Sequence, residues 1–210
     1  DDGTLNSSVW GRQVTGILVT GTAQSPVIYI CSSDPRIGAG PTGEDSNLDT
    51  NSGILSRLNW TGTQWVKTDL VRGLPRSEEN HGSNGMQLNT ATNTLYIAQG
   101  GHTNMGALSA NFSFHPEYAY SAAILAVNLA AIGNTTYDLP TLDDEDRANT
   151  GTTAGFTDPN DPFGGNDGKN QAMLVPNGPV QIYSSGYRNP YDLVVTASGK
   201  MYTFDNGPNS

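Results

Sequence analysis

The stretch "TGILVTGTAQSPVIYICSS", residues 15 to 33, decides the fold class of this 210-residue chain. Its two ends, 15–21 and 27–33, are rich in β-branched and apolar residues, and they flank a segment of Gly, Ser and Pro that favours a turn. The pattern predicts a β-hairpin. Similar runs and turn residues continue along the chain, which contains 25 Gly and 12 Pro. We therefore expect an all-β protein.

Further β-like runs extend this hairpin into four-stranded units. The runs "GILSRLNW" (53–60) and "QWVKTDLV" (64–71) complete a first antiparallel meander. Three second strands share an apolar core around Tyr, in "VIYI", "TLYIA" and "KMYTF". The series starts again twice, with predicted strands at 84–89, 94–100, 122–129, 179–186, 191–197 and 200–207. A recurring four-stranded unit is typical of a β-propeller blade.

Two alternatives to this interpretation stay open. An ordinary β-sandwich would also contain many short strands. The run "AAILAVNLAAI" (122–132) could form a helix because it is rich in Ala, although its place in the repeat favours a strand.

The repeat divides the chain into about two and a half blades. We predict a first blade at 12–75, a second at 81–186 and the start of a third at 187–210. The segment 137–178 is rich in Gly, Pro and Asp, so we interpret it as a polar insertion in the second blade, outside the core. Since a propeller closes with at least about four blades, we expect a fragment whose remaining blades come from the same or another chain.

Composition limits the classes of partner. The chain has 10 Lys and Arg against 20 Asp and Glu, a net charge of -10, and no basic stripe, so we expect no nucleic-acid partner. No apolar run approaches the roughly 20 residues of a membrane span. The N-terminus has neither Met nor a signal-peptide pattern, which indicates a processed or trimmed chain. The single Cys31 excludes an internal disulfide and is predicted to be a buried strand thiol.

Hairpin geometry groups polar residues that are distant in sequence. The loop that enters a first strand and the loop that leaves the second lie at the same end of an antiparallel hairpin. Entering loops contain His81 and 188–189, and leaving loops contain Asp34, His102 and 205–209. Convergent polar groups on loops above a β scaffold indicate a small-molecule site. Alone, His81 could simply be a polar residue in a turn.

Three motifs carry a resemblance to a known family. The segments "SGILSRL" (52–58), "NHGSNGMQLNTATNTLYIAQGG" (80–101) and "SGYRNPYDLVVTASGKMYTFDNGPNS" (185–210) resemble the glucose/sorbosone dehydrogenase family. Its members are quinoprotein sugar dehydrogenases built as six-bladed β-propellers. The resemblance covers roughly residues 10 to 210 and implies the N-terminal part of such a fold, a partial six-bladed β-propeller of four-stranded antiparallel sheets.

The resemblance also implies roles for individual residues. His81 would be the general base that takes the hydroxyl proton of an aldose while hydride passes to pyrroloquinoline quinone (PQQ). A neutral imidazole suits that role near pH 7. Arg188 and Asn189 would contact the quinone, and the main-chain carbonyls of Gly207 and Pro208 would bind a calcium ion. The basic residues that later blades of the family supply have no counterpart here, so we expect this piece alone to bind PQQ weakly or not at all.

Partner and location follow from the same resemblance. The implied partner is a sugar substrate or a glycan, and the implied location is secreted, extracellular or periplasmic. The family also includes secreted propellers without demonstrated dehydrogenase activity. A non-catalytic module that binds carbohydrate or protein within a larger surface protein therefore stays open.

Two acidic loops are further candidates for calcium. Asp45, Asn47, Asp49 and Asn51 stand at every second position, as in a calcium loop, but the Gly and the Glu of such a loop are missing, so a solvated turn is the alternative. The second loop contains Asp158, Asp161 and Asp167. We expect no zinc, because the histidines at 81, 102 and 115 lack the spacing of zinc ligands.

Overall fold

The computed structural model describes residues 11–35, 50–142 and 171–208, and the backbone of 152–153 and 156–157. This part of the chain is all-β, as predicted, with antiparallel pairing throughout except at one edge. The strands are β1 (Gln13–Gly21), β2 (Pro26–Ser33), β3 (Gly53–Trp60), β4 (Trp65–Leu74), β5 (Ser83–Asn89), β6 (Thr94–Gln99), β7 (Ala123–Asn128), β8 (Tyr137–Asp138), β9 (Thr152–Thr153), β10 (Phe156–Thr157), β11 (Val180–Ser185), β12 (Pro190–Val195) and β13 (Met201–Asp205). All ten predicted strands are present.

The first sheet contains the predicted meander β1-β2-β3-β4. The turn between β1 and β2 is closed by two backbone hydrogen bonds between Thr22 and Ser25, at 3.2 and 3.1 Å. Gly21 precedes this turn with a φ of 80°, a conformation that glycine adopts without steric cost. The "TGTAQSP" segment therefore acts as the predicted turn.

A fifth strand extends the first sheet beyond the predicted meander. Residues Tyr137 and Asp138 of β8 pair in parallel with Val71 and Arg72 of β4. The guanidinium of Arg72 donates two hydrogen bonds to the carboxylate of Asp138, at 2.6 and 2.7 Å, and the next residue, Leu139, is fully buried. The start of the segment 137–178 thus belongs to the core, and its interpretation as a wholly polar insertion is wrong there.

The second sheet has the strand order β11-β7-β6-β5, and the third contains β12 and β13. β7 ends where a single helical turn, α1 (Leu129–Ile132), begins. The side chain of Asn128 caps this turn by accepting a hydrogen bond from the Ala131 backbone N–H at 3.0 Å. The run 122–132 is therefore a strand, as predicted, and its last residues are helical. A short 3-10 helix, Ala110–Phe112, lies in the loop between β6 and β7.

The three sheets lie side by side through their first strands. β5 contacts β1 on one side and β12 on the other. Glycines permit this approach, since a Cβ on Gly16 would lie 2.0 Å from the Asn84 carbonyl oxygen and one on Gly85 2.3 Å from the Asp192 carboxylate. No sheet closes on itself in the described part of the chain.

The main hydrophobic core lies between the first and second sheets. It includes Cys31, Leu55 and Leu125, all fully buried. The sulfur of Cys31 lies 3.4 Å from that of Met86, and burial raises the pKa of the thiol, which confirms a buried strand cysteine. A smaller cluster, containing Leu193, joins the second and third sheets.

Large apolar side chains remain exposed at the two ends of this array. On β1 they are Val14, Ile17 and Val19, and on the third sheet they are Tyr191, Val194, Tyr202 and Phe204. Among these, Phe204 is the most exposed, at 79%. In the described residues no helix has the length and apolar character needed to cross a bilayer.

Candidate functional site

His81 lies in a tight turn between β4 and β5. Its backbone N–H donates to Ser77 Oγ at 2.9 Å, and its carbonyl accepts from the Ser77 N–H at 2.8 Å. The following Gly82 accepts a hydrogen bond from the Gly100 N–H at 2.8 Å, which fixes the turn to the end of β6. The backbone around His81 is therefore held on both sides.

The imidazole of His81 has a defined tautomer. Its Nδ1 lies 3.0 Å from the carbonyl oxygen of Gly101. A carbonyl oxygen only accepts, so Nδ1 carries the proton and the Nε2 of the neutral ring presents its lone pair. The ring packs against Phe112, with centroids 5.0 Å apart, and only 3% of the residue is exposed.

Burial and nearby positive charge keep this ring neutral. Burial is the largest cause that lowers the pKa of His81 to about 4, and the charge of Arg188 adds to it, whereas the Gly101 hydrogen bond opposes the change. At pH 7 the side chain is an uncharged hydrogen-bond acceptor at Nε2.

Arg188 and Asn189 form the loop between β11 and β12, and Asp205 holds them. The Asp205 carboxylate accepts from the Arg188 N–H at 3.0 and 3.2 Å and from the Asn189 N–H at 2.8 Å. The Arg188 side chain is 5% exposed and donates from Nε to Asn104 Oδ1 at 2.8 Å. Asn189 Oδ1 accepts from Asn84 Nδ2 at 2.9 Å.

Gly101 connects His81 and Arg188 directly. Its N–H donates to the Arg188 carbonyl at 2.8 Å, and its own carbonyl accepts from His81 Nδ1. Gly100 is equally confined, because a Cβ there would lie 2.6 Å from Asn189 Oδ1 and 2.7 Å from the His81 Cβ. The two glycines that follow β6 therefore determine how closely the side chains of His81, Arg188 and Asn189 approach each other.

Several of the candidate residues line one cavity of about 410 Å³. We call it the His81 cavity; its lining residues are Glu79, Asn80, His81, Arg188, Asn206 and Gly207. Three predicted site residues from separate segments, His81, Arg188 and Gly207, thus meet here. Asn189 and Pro208 are not among the lining residues.

Glu79 is a lining residue that the sequence did not single out. Its Oε2 lies 3.4 Å from His81 Nε2 and has no hydrogen-bond partner among the described residues, so the two groups form an ion pair only when the ring is protonated. Burial raises the pKa of Glu79, and the charges of Arg188 and Arg76 oppose that change. Only its position in space, beside the imidazole, identifies this carboxyl group.

Asp34 and His102 are buried and do not line the His81 cavity. Asp34 is fully buried, and its carbonyl accepts from Nε of the equally buried Arg76 at 3.1 Å. The ring of His102 packs on Tyr118, with centroids 4.3 Å apart, and its two nitrogens have no hydrogen-bond partner in the described part of the chain. The expectation that both residues reach the mouth is wrong, because Asp34 is buried beside Arg76 and His102 is buried against Tyr118.

Glu117 ties the loop between β6 and β7 together through hydrogen bonds. Its carboxylate accepts from the His102 N–H and from Thr103 Oγ1, both at 2.6 Å, and from the Ser121 hydroxyl. Burial lowers the pKa of His102 far below its usual value, and the nearby histidines and Arg76 act in the same direction. His102 is therefore a neutral packing residue beneath the site.

The calcium candidates fall largely outside the described residues. Asp45, Asn47 and Asp49 lie there, as do Asp158, Asp161 and Asp167. Within the described ranges, no group of three or more His, Cys, Asp or Glu side chains could hold a metal ion. Of the two main-chain calcium candidates, Gly207 lines the His81 cavity.

Comparison with protein-family models, with characterised proteins and with solved structures finds no match to this chain.

Proposed function

We propose that the His81 cavity oxidises a sugar hydroxyl, as in the quinoprotein sugar dehydrogenases that the sequence resembles. The observation that carries this proposal is the meeting of His81, Arg188 and Gly207 in one cavity. These residues come from three loops; His81 belongs to the segment 80–101 of the resemblance, and Arg188 and Gly207 belong to the segment 185–210. A neutral base and a cation in one polar cavity suit the removal of a proton from a substrate hydroxyl.

We also propose that the three sheets are blades of a six-bladed β-propeller. The side-by-side packing of β1, β5 and β12 supports this, because the first strands of propeller blades surround a central channel. The remaining blades would come from the same or another chain, in a secreted, extracellular or periplasmic protein. The exposed apolar side chains at both ends of the array are what such neighbouring blades would cover.

The chemistry that the chain itself supplies is proton abstraction. The Nδ1–H bond to Gly101 orients the ring, so that Nε2 accepts the hydroxyl proton of the sugar. Arg188 places a positive charge beside oxygen atoms on which negative charge develops. PQQ, when bound, would supply the two-electron acceptor for the hydride that leaves the same carbon.

The lining residues fit an anionic quinone better than they fit a calcium ion. A buried guanidinium suits the carboxylates of PQQ, and Asn189 supports Arg188 from the same loop without lining the cavity. Calcium takes roughly six to eight oxygen ligands, more than the main chain of Gly207 at this cavity provides. The main chain of 207–208 would hold such an ion only in part, and no step depends on it.

The test is oxidation of an aldose with PQQ, Ca²⁺ and a dye acceptor, using the protein with all its blades. We expect His81→Asn to lower kcat by about a hundredfold or more, because the base is lost. His115→Gln, at a histidine outside the cavity, is the matched control and should keep the rate. An unchanged rate in His81→Asn, with circular dichroism like that of the wild type, contradicts the proposal.

The second candidate is a non-catalytic module that binds carbohydrate. A groove of about 470 Å³ along β1, β5 and β12 favours it, since Tyr191, 61% exposed, lines this groove together with Gln87 and Asp192. An exposed aromatic face with neighbouring polar groups suits a sugar ring. In this case Tyr191→Ala abolishes binding to a glycan array, and PQQ titration leaves the quinone absorbance unchanged.

A further inference from the structure

We propose that Glu79 is the proton acceptor for His81: after Nε2 takes a proton from the substrate, the Glu79 carboxylate removes it and passes it to solvent. This inference rests on the proposed function and deepens it. It begins from one contact, the 3.4 Å between Glu79 Oε2 and His81 Nε2, inside a cavity that both residues line.

The geometry gives the proton one exit from the ring. Nδ1 is committed to the Gly101 carbonyl, so a proton gained at Nε2 leaves from Nε2. Among the described residues Glu79 Oε2 is buried without a hydrogen-bond partner, whereas the side chain as a whole is 24% exposed. One carboxyl group thus reaches both the buried imidazole and the water outside.

Glu79 does not use the lone pair of His81 Nε2. Its Oε2 lies 3.4 Å from Nε2 of the neutral ring without a hydrogen bond, and a carboxylate has no proton to donate to that lone pair. A sugar hydroxyl that donates to Nε2 would therefore replace no hydrogen bond from Glu79.

The surroundings of the His81 ring disfavour the imidazolium. Burial and the charges of Arg188 and Arg76 lower the pKa of His81 to about 4. Burial also raises the pKa of Glu79, which favours a proton on its carboxyl group. Among the described residues, the titratable and charged groups near the ring are Glu79, Arg76, Arg188 and His102. Both changes in pKa act in the direction of proton transfer from the ring to Glu79.

The atoms and electrons balance over two steps. First, the substrate O–H bond breaks and an N–H bond forms at Nε2, while the C–H hydride leaves with two electrons to the quinone and the alcohol carbon becomes a carbonyl carbon. Second, the Nε2–H bond breaks and an O–H bond forms at Glu79 Oε2. The carboxyl group then loses this proton to water, and His81 is neutral again.

The first experiment needs no cofactor and no activity. NMR follows the ring resonances of His81 through a pH titration of the full chain, in the wild type and in Glu79→Gln. We expect the wild-type ring to report a step above pH 4.5, caused by the Glu79 carboxyl, before its own protonation. This step should vanish in Glu79→Gln and shrink in Glu79→Asp, whose carboxylate lies one methylene further away. An identical titration in the wild type and Glu79→Gln overturns the proposal.

The second experiment is a pH–rate profile of sugar oxidation. Glu79→Gln should lower kcat by about tenfold and shift the acid limb of the profile, with KM unchanged, and Glu79→Asp should recover part of the rate. A wild-type rate and profile in Glu79→Gln overturn the relay. Absence of oxidation in the wild type overturns the proposed function instead, while the NMR titration still decides whether the two groups share a proton.

Discussion

Gly100 and Gly101 show how strongly the candidate site depends on residues without side chains. Gly101 bonds to His81 through its carbonyl and to Arg188 through its N–H. At Gly100 any side chain would collide with His81 and Asn189. A glycine pair at the end of a strand is visible in the sequence, but which residues approach it is not.

The first prediction concerns Gly100→Ala. The added methyl group overlaps a side-chain oxygen and a Cβ, so we expect a loss of about 1–3 kcal/mol in the free energy of unfolding and a shifted His81 ring. Gly11→Ala is the matched control, because no atom lies within 4 Å of a Cβ there. Urea denaturation measures both variants, and equal midpoints would refute the crowding at Gly100.

The second prediction concerns acid. The pKa of His81 is lowered from 6.5 to about 4 in the folded protein, so the unfolded chain binds a proton first as the pH falls. The contribution of His81 to stability is complete above pH 6.5, is lost as the pH falls from 6.5 to about 4, and amounts to about 3 kcal/mol. His102 acts in the same direction.

His81→Gln removes this contribution. Its free energy of unfolding should fall less between pH 7 and pH 4.5 than that of the wild type, as urea denaturation at several pH values measures. Parallel curves for the two proteins would show that His81 is protonated equally in the folded and unfolded states.

Among the strands, β8 is one of three two-residue strands, with β9 and β10, that the pattern of the sequence did not predict. Two residues are too few to show alternation, and this strand exists because Arg72 and Leu139 find partners in the first sheet. The ten predicted strands could be read from the sequence because apolar runs and turn residues alternate along the chain.

The candidate site could be predicted only in part. Hairpin geometry alone groups His81 with Arg188. The positions of Glu79 and Arg76 depend on side-chain directions, which local sequence patterns do not contain.

The third prediction tests the attachment of β8. Leu139→Ala should cost about 2–5 kcal/mol of unfolding free energy, since the side chain is fully buried in the main core. Asp138→Asn should cost about 1 kcal/mol and speed hydrogen exchange at 137–139. Lys67→Ala, which breaks a more exposed pair with Asp69, is the control for a surface ion pair. Slow exchange at 137–139 in both β8 variants would contradict this account.

The array of three sheets carries exposed apolar side chains at both ends. Phe204 and Tyr202 are exposed on the third sheet, and Ile17 and Val19 on β1. The net charge of -10 opposes association of identical chains, but it acts over longer distances than apolar contact and is screened by salt. These surfaces therefore govern how the chain behaves at high concentration.

The fourth prediction follows from these surfaces. Phe204→Ser should leave the unfolding free energy within about 0.5 kcal/mol of the wild type, because the side chain is 79% exposed, and it should reduce self-association in salt. Sedimentation velocity at increasing concentration measures the effect. Equal self-association of the two proteins would mean that the third sheet does not supply the contact.

The glycines between the sheets also set how closely the sheets pack. At Gly16 and Gly85 the backbones of β1, β5 and β12 approach so closely that even a methyl group would force them apart. Larger residues there would separate the sheets at their first strands. The spacing between neighbouring sheets thus depends on two positions that carry only a hydrogen atom in place of a side chain.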